Sequence, residues 1–209
     1  DLTGALSLEV LPKKMVVIGA GYIGLELGMV WARLGAEVEI IEFLPRILPG
    51  MDAEIAKKFM TIAKKQGLKF RLSTAVKSAK AGKNGVSLKV TPANGGDEET
   101  INADIALVSV GRHPATDGLG LEKMGVTMTL RGRIAVDARF ETSIENIYAI
   151  GDVIDGPMLA HKAEEDAVAA VEMMAGKPGH VDYDLVPGIV YTAPEIATLG
   201  KSEEALTEA

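Results

Sequence analysis

The first residues along the chain whose types and spacing could do chemistry are three glycines. Residues 19–24 read Gly-Ala-Gly-Tyr-Ile-Gly, directly after the apolar run of residues 15–18. In the pattern G-x-G-x-x-G the first glycine makes a tight turn, the second lets a pyrophosphate approach the backbone, and the third lets helix and strand pack closely. The N-terminus of the following helix offers unpaired N–H groups to phosphates. The motif in this context predicts a dinucleotide site.

An acidic residue stands where such a site needs one. Glu42 ends the next predicted strand, about 20 residues after the glycines. Its carboxylate can accept hydrogen bonds from both ribose hydroxyls and would repel a 2′-phosphate. No basic residue adjoins Glu42, and Arg46 lies beyond Pro45. The sequence therefore favours NAD over NADP.

A second group of candidate residues lies later in the chain. An apolar segment, residues 147–150, ends in Gly151-Asp152, and a carboxylate there could hold a polyol hydroxyl. A simple capped turn is the structural alternative. A helix is predicted to begin within residues 157–162, where its amides suit partial negative charge such as a reduced flavin's pyrimidine edge. His161 could act as an acid or base, although a lone histidine is more often structural.

Composition excludes several functions for these 209 residues. The chain has no cysteine, which removes a disulfide scaffold, a thiolate metal site and a cysteine nucleophile. A net charge of −7 and only 4% aromatic residues argue against nucleic-acid binding. The histidines lack metal-ligand spacing, and no apolar run is long enough to span a membrane. A methyltransferase that binds S-adenosylmethionine would also place an acid after its second strand, but the second group of residues argues against it.

The surrounding pattern predicts an α/β fold in two regions. Strand, helix and strand over residues 15–41 form a βαβ unit, and Asp52 is a plausible N-cap for a helix through Gln66. Further strands are predicted at residues 68–72, 86–90, 99–103, 105–110, 134–136, 147–150 and 188–192. A helix over about residues 159–176 would bury one face, consisting of Ala163, Ala167, Val168, Val171 and Met174. A last helix is expected from residue 203. The lysine pairs at 57–58 and 64–65 suggest a solvated helix face in preference to a docking site.

These segments resemble the dihydrolipoamide dehydrogenases, a group of flavin-dependent pyridine nucleotide-disulfide oxidoreductases. The matching residues are 3–6, 19–26, Gly111-Arg112, 146–152 and 156–163, and Gly-Pro-Met-Leu-Ala-His-Lys-Ala is the most specific. The resemblance covers essentially the whole chain. It implies a Rossmann-like parallel sheet with an inserted antiparallel β-meander, a small FAD-contacting central region and the start of an α+β dimer-interface domain. The implied limits are residues 1–114 for the NAD-binding domain, 115–182 for the central region and 183–209 for the truncated interface domain.

The resemblance also implies roles for individual residues. The NAD site would consist of Gly19, Ala20, Gly21, Tyr22, Ile23, Gly24, Leu25, Glu26, Glu42, Val76 and Gly111. FAD would contact Asp152 through its ribityl chain and Met158, Leu159, Ala160 and His161 through its ring. Glu26 would pair with a lysine near flavin N5. Tyr22 would cover the flavin until nicotinamide displaces it. No metal site is implied, and no catalytic residue beyond the support from Glu26.

The family's activity would belong to a longer parent protein. That parent would reoxidise protein-bound dihydrolipoamide and pass electrons through a disulfide and FAD to NAD. Its implied partners are lipoyl domains of 2-oxoacid dehydrogenase or glycine cleavage complexes and a second copy of itself, without nucleic acid or membrane, in the mitochondrial matrix or bacterial cytoplasm. The family's redox cysteine pair and C-terminal His-Glu pair have no counterpart here. The segment alone is therefore expected to be inactive, and a stand-alone NAD-binding module without turnover is the alternative.

Overall fold

The chain folds into two compact units in a computed structural model that describes residues 1–207. Unit 1 comprises residues 1–111 together with the segment from residue 187 onward, and unit 2 comprises Arg112–Val186. The functional assignments predicted for residues 1–114, 115–182 and 183–209 stay predictions.

We number the helices and strands of the described residues in chain order. Helices α1–α6 span Leu2–Leu6, Tyr22–Leu34, Ala53–Lys65, Leu121–Met124, Ala160–Met174 and Glu203–Thr207. Strands β1–β9 span Lys14–Ile18, Glu37–Ile41, Lys69–Arg71, Thr74–Gly82, Gly85–Pro92, Glu99–Ala103, Ile105–Val108, Gly188–Val190 and Ile196–Thr198. Two short 3-10 turns cover Gly151–Val153 and Tyr183–Leu185.

A four-stranded parallel sheet forms the centre of unit 1, in the order β3-β2-β1-β7. Residues Met15 to Val17 of β1 are fully buried, as expected for a central strand covered on both faces. Helix α2 ends at Gly35, whose φ of 111° gives the left-handed C-cap. Asp52 caps α3 by accepting hydrogen bonds from the backbone N–H groups of residues 54 and 55. The predicted βαβ unit is confirmed.

An antiparallel sheet of β4, β5 and β6 is inserted before β7. It packs on the parallel sheet through a cluster that contains Val16, Ile41, Leu88 and Val90. The sequence pattern missed β4, because most of its residues after Val76 are small or lysine and lie exposed, which leaves no alternation of apolar and polar residues. The parallel sheet with an inserted antiparallel β-meander agrees with the predicted α/β fold class.

Residues 187–207 pack as part of unit 1. Strands β8 and β9 form a hairpin, and Val190 and Ile196 are buried in the same core as α2. The strand predicted at residues 188–192 is shorter in the structure, which also contains the expected helix from residue 203. Glu208 and Ala209 lie outside the described residues.

Unit 2 has its own core but none of its predicted strands. Residues 134–136 and 147–150 contribute only the single bridges Met128–Ile134 and Glu141–Tyr148. Phe140 and Asn146 adopt positive φ angles of 65° and 63°. These turns reverse the chain before a ladder can extend, so the predicted strands are wrong.

Helix α5 is found where expected, but its predicted buried face is wrong. Val168, Val171 and Met174 are 57%, 61% and 49% exposed. The buried residues are Lys162, Asp166, Ala169 and Ala170. The two charged residues pair with each other inside the unit, Nζ to Oδ2 at 2.7 Å, and a pattern of apolar residues cannot reveal a buried face of that kind.

Candidate functional site

The glycine motif, Glu42 and Gly111 follow the carboxyl ends of three adjacent parallel strands. The glycines follow β1, Glu42 follows β2 and Gly111 follows β7. From β1 the chain first builds β2 and β3 on one side and later returns to β7 on the other side. The sheet order therefore reverses between β1 and β7, and in open α/β sheets ligands bind at that point, beyond the carboxyl ends.

Each glycine of the motif has its own structural reason. Gly19 has a φ of 103°, and a Cβ there would lie 2.5 Å from the carbonyl oxygen of Ser109. A Cβ on Gly24 would lie 2.1 Å from the carbonyl oxygen of Gly19. A Cβ on Gly21, in contrast, would meet nothing within 4 Å. The first and third glycines are needed by the fold, whereas Gly21 borders open space that a ligand could occupy.

The N-terminus of α2 begins at this open position. Its N-cap is Gly21, which has no side chain, and no acidic residue lies in its first turn. The first backbone hydrogen bond of the helix runs from Leu25 N to Gly21 O at 3.1 Å. The amides of residues 22–24 precede that bond, so they are the donors that a phosphate at a helix N-terminus uses.

Backbone N–H groups of the glycine loop and of the loop after β2 hold the Glu42 carboxylate. Its Oε2 accepts a hydrogen bond from Ala20 N at 2.7 Å, and its Oε1 accepts one from Leu44 N at 2.8 Å. The residue is 9% exposed. Sequence reasoning missed this backbone role, in which Glu42 shapes the glycine loop itself. Each carboxylate oxygen can accept a further hydrogen bond, so ribose binding is compatible with these contacts.

Some of the other residues predicted for the NAD site lie in the hydrophobic core, and one borders open space. Leu25 is fully buried and Ile23 half-buried in the main core. Val76 is half-buried in β4, next to the point where its pairing with β5 shifts register. Gly111 has a φ of 132° and open space around its Cβ position. Leu25 thus contributes to packing, while Gly111 borders open space.

Tyr22 and Glu26 contact the segment from residue 187 onward. A Cβ on Gly188 would lie 3.2 Å from the Tyr22 hydroxyl oxygen, and burial raises the pKa of this phenol. Glu26 Oε1 accepts a hydrogen bond from Tyr191 N at 2.8 Å. The structure therefore gives Glu26 a contact that sequence reasoning missed, and its predicted support of flavin N5 stays a prediction.

Ser109 is a further residue that sequence reasoning missed. Its hydroxyl lies 3.0 Å from Ile18 O and 3.2 Å from Gly19 O, both of which are acceptors. It thereby ties the end of β7 to the glycine loop. A serine just after an apolar strand has no distinctive sequence signal, because its partner lies 90 residues away in the chain.

A second candidate site lies in unit 2 around Asp152. Its carboxylate, 44% exposed, lies on the 3-10 turn Gly151–Val153, and Arg112 Nη1 is 3.3 Å from Asp152 Oδ2. Arg112 Nη2 also donates a hydrogen bond to Met158 O. One guanidinium thus connects the turn with the segment before α5. The sequence alone marks Arg112 only as part of the matching dipeptide Gly111-Arg112.

The N-terminus of α5 adjoins that segment. Its N-cap is Leu159, which makes no side-chain capping bond, and no acidic residue lies in the first turn. Ala160 is exposed, and Met158, Leu159 and His161 are half-buried. The 15-residue helix therefore presents backbone donors and a positive dipole end toward the loop that precedes it.

Metal-binding clusters and membrane-spanning helices are not found between residues 1 and 207. No group of three or more histidine, aspartate or glutamate side chains is arranged there to hold a metal ion. None of the helices in that range has the length and apolar character to cross a bilayer.

Comparisons with known proteins agree with this geometry. The family profile for pyridine nucleotide-disulphide oxidoreductases matches residues 1–167. A mitochondrial dihydrolipoyl dehydrogenase of Pisum sativum is 58% identical over 99% of this chain, and a leghemoglobin reductase of Glycine max is 57% identical over 99%. The chain spans 41% and 39% of those relatives' lengths. The HOCl-induced flavoprotein disulfide reductase RclA of Escherichia coli aligns with a TM-score of 0.88 at 31% identity, over 99% of this chain and 47% of its own. The chain belongs to the pyridine nucleotide-disulphide oxidoreductase family.

Proposed function

We propose that this chain is the nucleotide-handling part of a dihydrolipoyl dehydrogenase, with an NAD site in unit 1 and part of an FAD site in unit 2. The observation that carries the proposal is the glycine loop of unit 1. Gly21 borders open space at an uncapped helix N-terminus, and Glu42 lies beside the same loop. This is the arrangement that a pyrophosphate and an adenosine ribose require.

The surroundings of Glu42 support NAD in preference to NADP. Arg46 is the first basic residue after Glu42. Its Nη2 donates to Pro49 O at 2.8 Å and to Met51 O at 2.7 Å, and its Nη1 lies 3.5 Å from a carboxylate oxygen of Glu204. These contacts direct the guanidinium toward the Pro49–Met51 segment and Glu204, and the Glu42 carboxylate would repel a 2′-phosphate.

The residues of unit 2 fit the flavin part of the proposal. The half-exposed Asp152 carboxylate can accept hydrogen bonds from ribityl hydroxyls, and the amides at the start of α5 can donate to the pyrimidine edge of the ring. When bound, the two cofactors supply hydride transfer between flavin and nicotinamide. Residues of this chain would bind and orient them.

The proposal extends to the activity of the whole protein to which this chain would belong. Its support is the set of mitochondrial dihydrolipoyl dehydrogenases among the relatives. The activity would be reoxidation of dihydrolipoamide on lipoyl domains of 2-oxoacid dehydrogenase or glycine cleavage complexes, by a homodimer in the mitochondrial matrix or bacterial cytoplasm. These 209 residues contain no cysteine, so they cannot supply the disulfide of that reaction.

Calorimetric titration of the chain with NAD, NADP and FAD tests the binding proposal. NAD should bind more tightly than NADP, and FAD should bind weakly and lose affinity in Asp152→Asn. Tighter binding of NADP would contradict the role of Glu42. NAD binding without any FAD binding would favour the second candidate, a dinucleotide-binding module without turnover, which the absence of cysteine also favours.

A further inference from the structure

Unit 2 buries a charged cluster next to the turn that carries Asp152. Lys162 and Asp166 are both fully buried, with Nζ and Oδ2 2.7 Å apart. The Tyr183 hydroxyl donates to Asp166 Oδ1 at 2.8 Å, and Lys162 Nζ lies 5.1 Å from the centre of the Tyr183 ring. We call Lys162, Asp166 and Tyr183 the Lys-Asp-Tyr triad; its two charged residues are buried, whereas Tyr183 is 37% exposed. None of the three belongs to the proposed cofactor contacts.

Lys162 and Asp166 of the Lys-Asp-Tyr triad hold both polar backbone groups of Gly151. Gly151 N donates to Asp166 Oδ2 at 3.0 Å, and Gly151 O accepts from Lys162 Nζ at 3.0 Å. Gly151 has a φ of 72°, and a Cβ there would lie 3.1 Å from Ala163 Cβ. The residue directly before Asp152 is therefore restrained by two side chains of α5 and by close contact with the same helix.

Stability alone does not account for charges at these positions. Desolvating two ions is unfavourable, and well-packed apolar residues of similar volume are often as stabilising as a buried ion pair. An apolar pair, however, could not bond an N–H and a C=O group of the neighbouring turn. The space is also shaped for the lysine, because a Cβ on Gly156 would come within 3.0 Å of Lys162 Cε.

We propose that Lys162 and Asp166 are positioning residues for the flavin site: they fix the peptide groups of Gly151 so that the Asp152 carboxylate stands where a ribityl chain would meet it. Tyr183 orients Asp166 by occupying its other oxygen. Arg112 restrains the carboxylate of Asp152 from its own side, so the turn is held through backbone and side chain together. This inference rests on the proposed FAD site, whereas the restraint on Gly151 can be tested without cofactor.

The first experiment measures amide hydrogen exchange by NMR in the cofactor-free chain. Asp166→Asn should accelerate exchange of the Gly151 amide by about tenfold or more, because a charge-assisted bond is lost. Tyr183→Phe should accelerate it less while keeping the ring, and it serves as the variant that is expected to stay folded. Glu165→Gln, on the exposed side of α5, is the matched control. Exchange at Gly151 that equals the control in both variants would overturn the restraint.

The second experiment is a double-mutant cycle on FAD affinity. Asp166→Asn and Asp152→Asn should each weaken FAD by about tenfold, and the double variant should bind no more weakly than Asp152→Asn alone. NAD affinity, which depends on unit 1, should not change. Additive losses, or an equal loss of NAD affinity, would indicate general destabilisation and overturn the positioning role.

The two experiments separate this inference from the proposed function. If FAD does not bind the unaltered chain, or binds independently of Asp152, the flavin part of the proposed function fails and the positioning role fails with it. The exchange result then decides only whether the Lys-Asp-Tyr triad restrains Gly151. If FAD binding depends on Asp152 but not on Asp166, the proposed function stands and the positioning role is rejected.

Discussion

Replacing Glu42 by glutamine tests the structural role of this residue with a minimal change of shape. The carboxylate accepts hydrogen bonds from Ala20 N at 2.7 Å and Leu44 N at 2.8 Å. In glutamine one of the two acceptor atoms becomes an NH₂ group, which is itself a donor. One backbone N–H would then face another donor, and the second would keep only a neutral acceptor.

The expected loss of stability follows from these two bonds. A hydrogen bond to a charged group contributes about 1.5–3 kcal/mol, and a neutral one contributes about 0.5–1.5 kcal/mol. Losing one charged bond and weakening the other should lower the free energy of unfolding by about 2–4 kcal/mol. With a urea m-value of about 2 kcal/mol/M, the unfolding midpoint should fall by about 1–2 M.

Urea unfolding followed by circular dichroism measures this change, and Glu37→Gln is the matched control. Glu37 is the first residue of β2, the strand that Glu42 follows, and its half-exposed side chain pairs with Lys69 at 2.7 Å. Removing an exposed ion pair should change the midpoint little. Equal midpoints for Glu42→Gln and Glu37→Gln would refute the reasoning that the glycine loop depends on Glu42.

Titration calorimetry on the same variants separates the structural role of Glu42 from its proposed ligand role. Where the variant is still folded, Glu42→Gln should also weaken NAD binding, by roughly 1–3 kcal/mol for a lost bond to a charged group. A clear loss of stability with unchanged NAD affinity would make Glu42 a structural residue only and reject its contact with the ribose.

Three further predictions concern the loop and the titrating groups. Gly21→Ala should leave the unfolding temperature nearly unchanged but abolish NAD binding. Gly24→Ala should destabilise the fold, because a Cβ there would lie 2.1 Å from a carbonyl oxygen. Thermal unfolding and titration calorimetry distinguish the two variants. The backbone N–H of Ile55 lowers the pKa of Asp52 in the folded state. Its stabilising contribution is therefore present above about pH 4 and lost as the pH falls through the folded pKa, so Asp52→Asn should flatten acid-induced melting. Burial raises the pKa of the Tyr183 phenol in the folded state. Its contribution to the stability of the fold is therefore present below about pH 10 and lost as the pH rises further. Tyr183→Phe should reduce the fall of the melting temperature in alkali, and an equally steep fall in the variant would contradict this.

Local patterns in the sequence were sufficient for the βαβ part of unit 1. An apolar run, three spaced glycines, an acid at the next strand end and caps at Gly35 and Asp52 predicted the βαβ unit and its ligand-binding edge. These features depend on residues that are neighbours in the chain, and a parallel sheet then brings the ends of its strands together. Motif spacing could therefore indicate the place of the proposed dinucleotide site.

The tertiary structure decided which groups those residues actually contact. The carboxylate of Glu42 faces the glycine loop, Ser109 ties β7 to that loop, and Arg112 connects Asp152 with Met158. Each contact joins residues that are at least 22 positions apart in the chain. No spacing rule covers such pairs, because their approach depends on the packing of whole elements.

The same reason explains the errors in the second unit. Turns at Phe140 and Asn146 replaced the predicted strands, and α5 buries a lysine and an aspartate instead of its valines. A charged residue is buried only where a partner cancels its charge, and that partner is known only once the chain has folded. The sequence by itself determined the βαβ unit of unit 1 and predicted a ligand-binding edge there, while the tertiary structure alone decided how Asp152 is held.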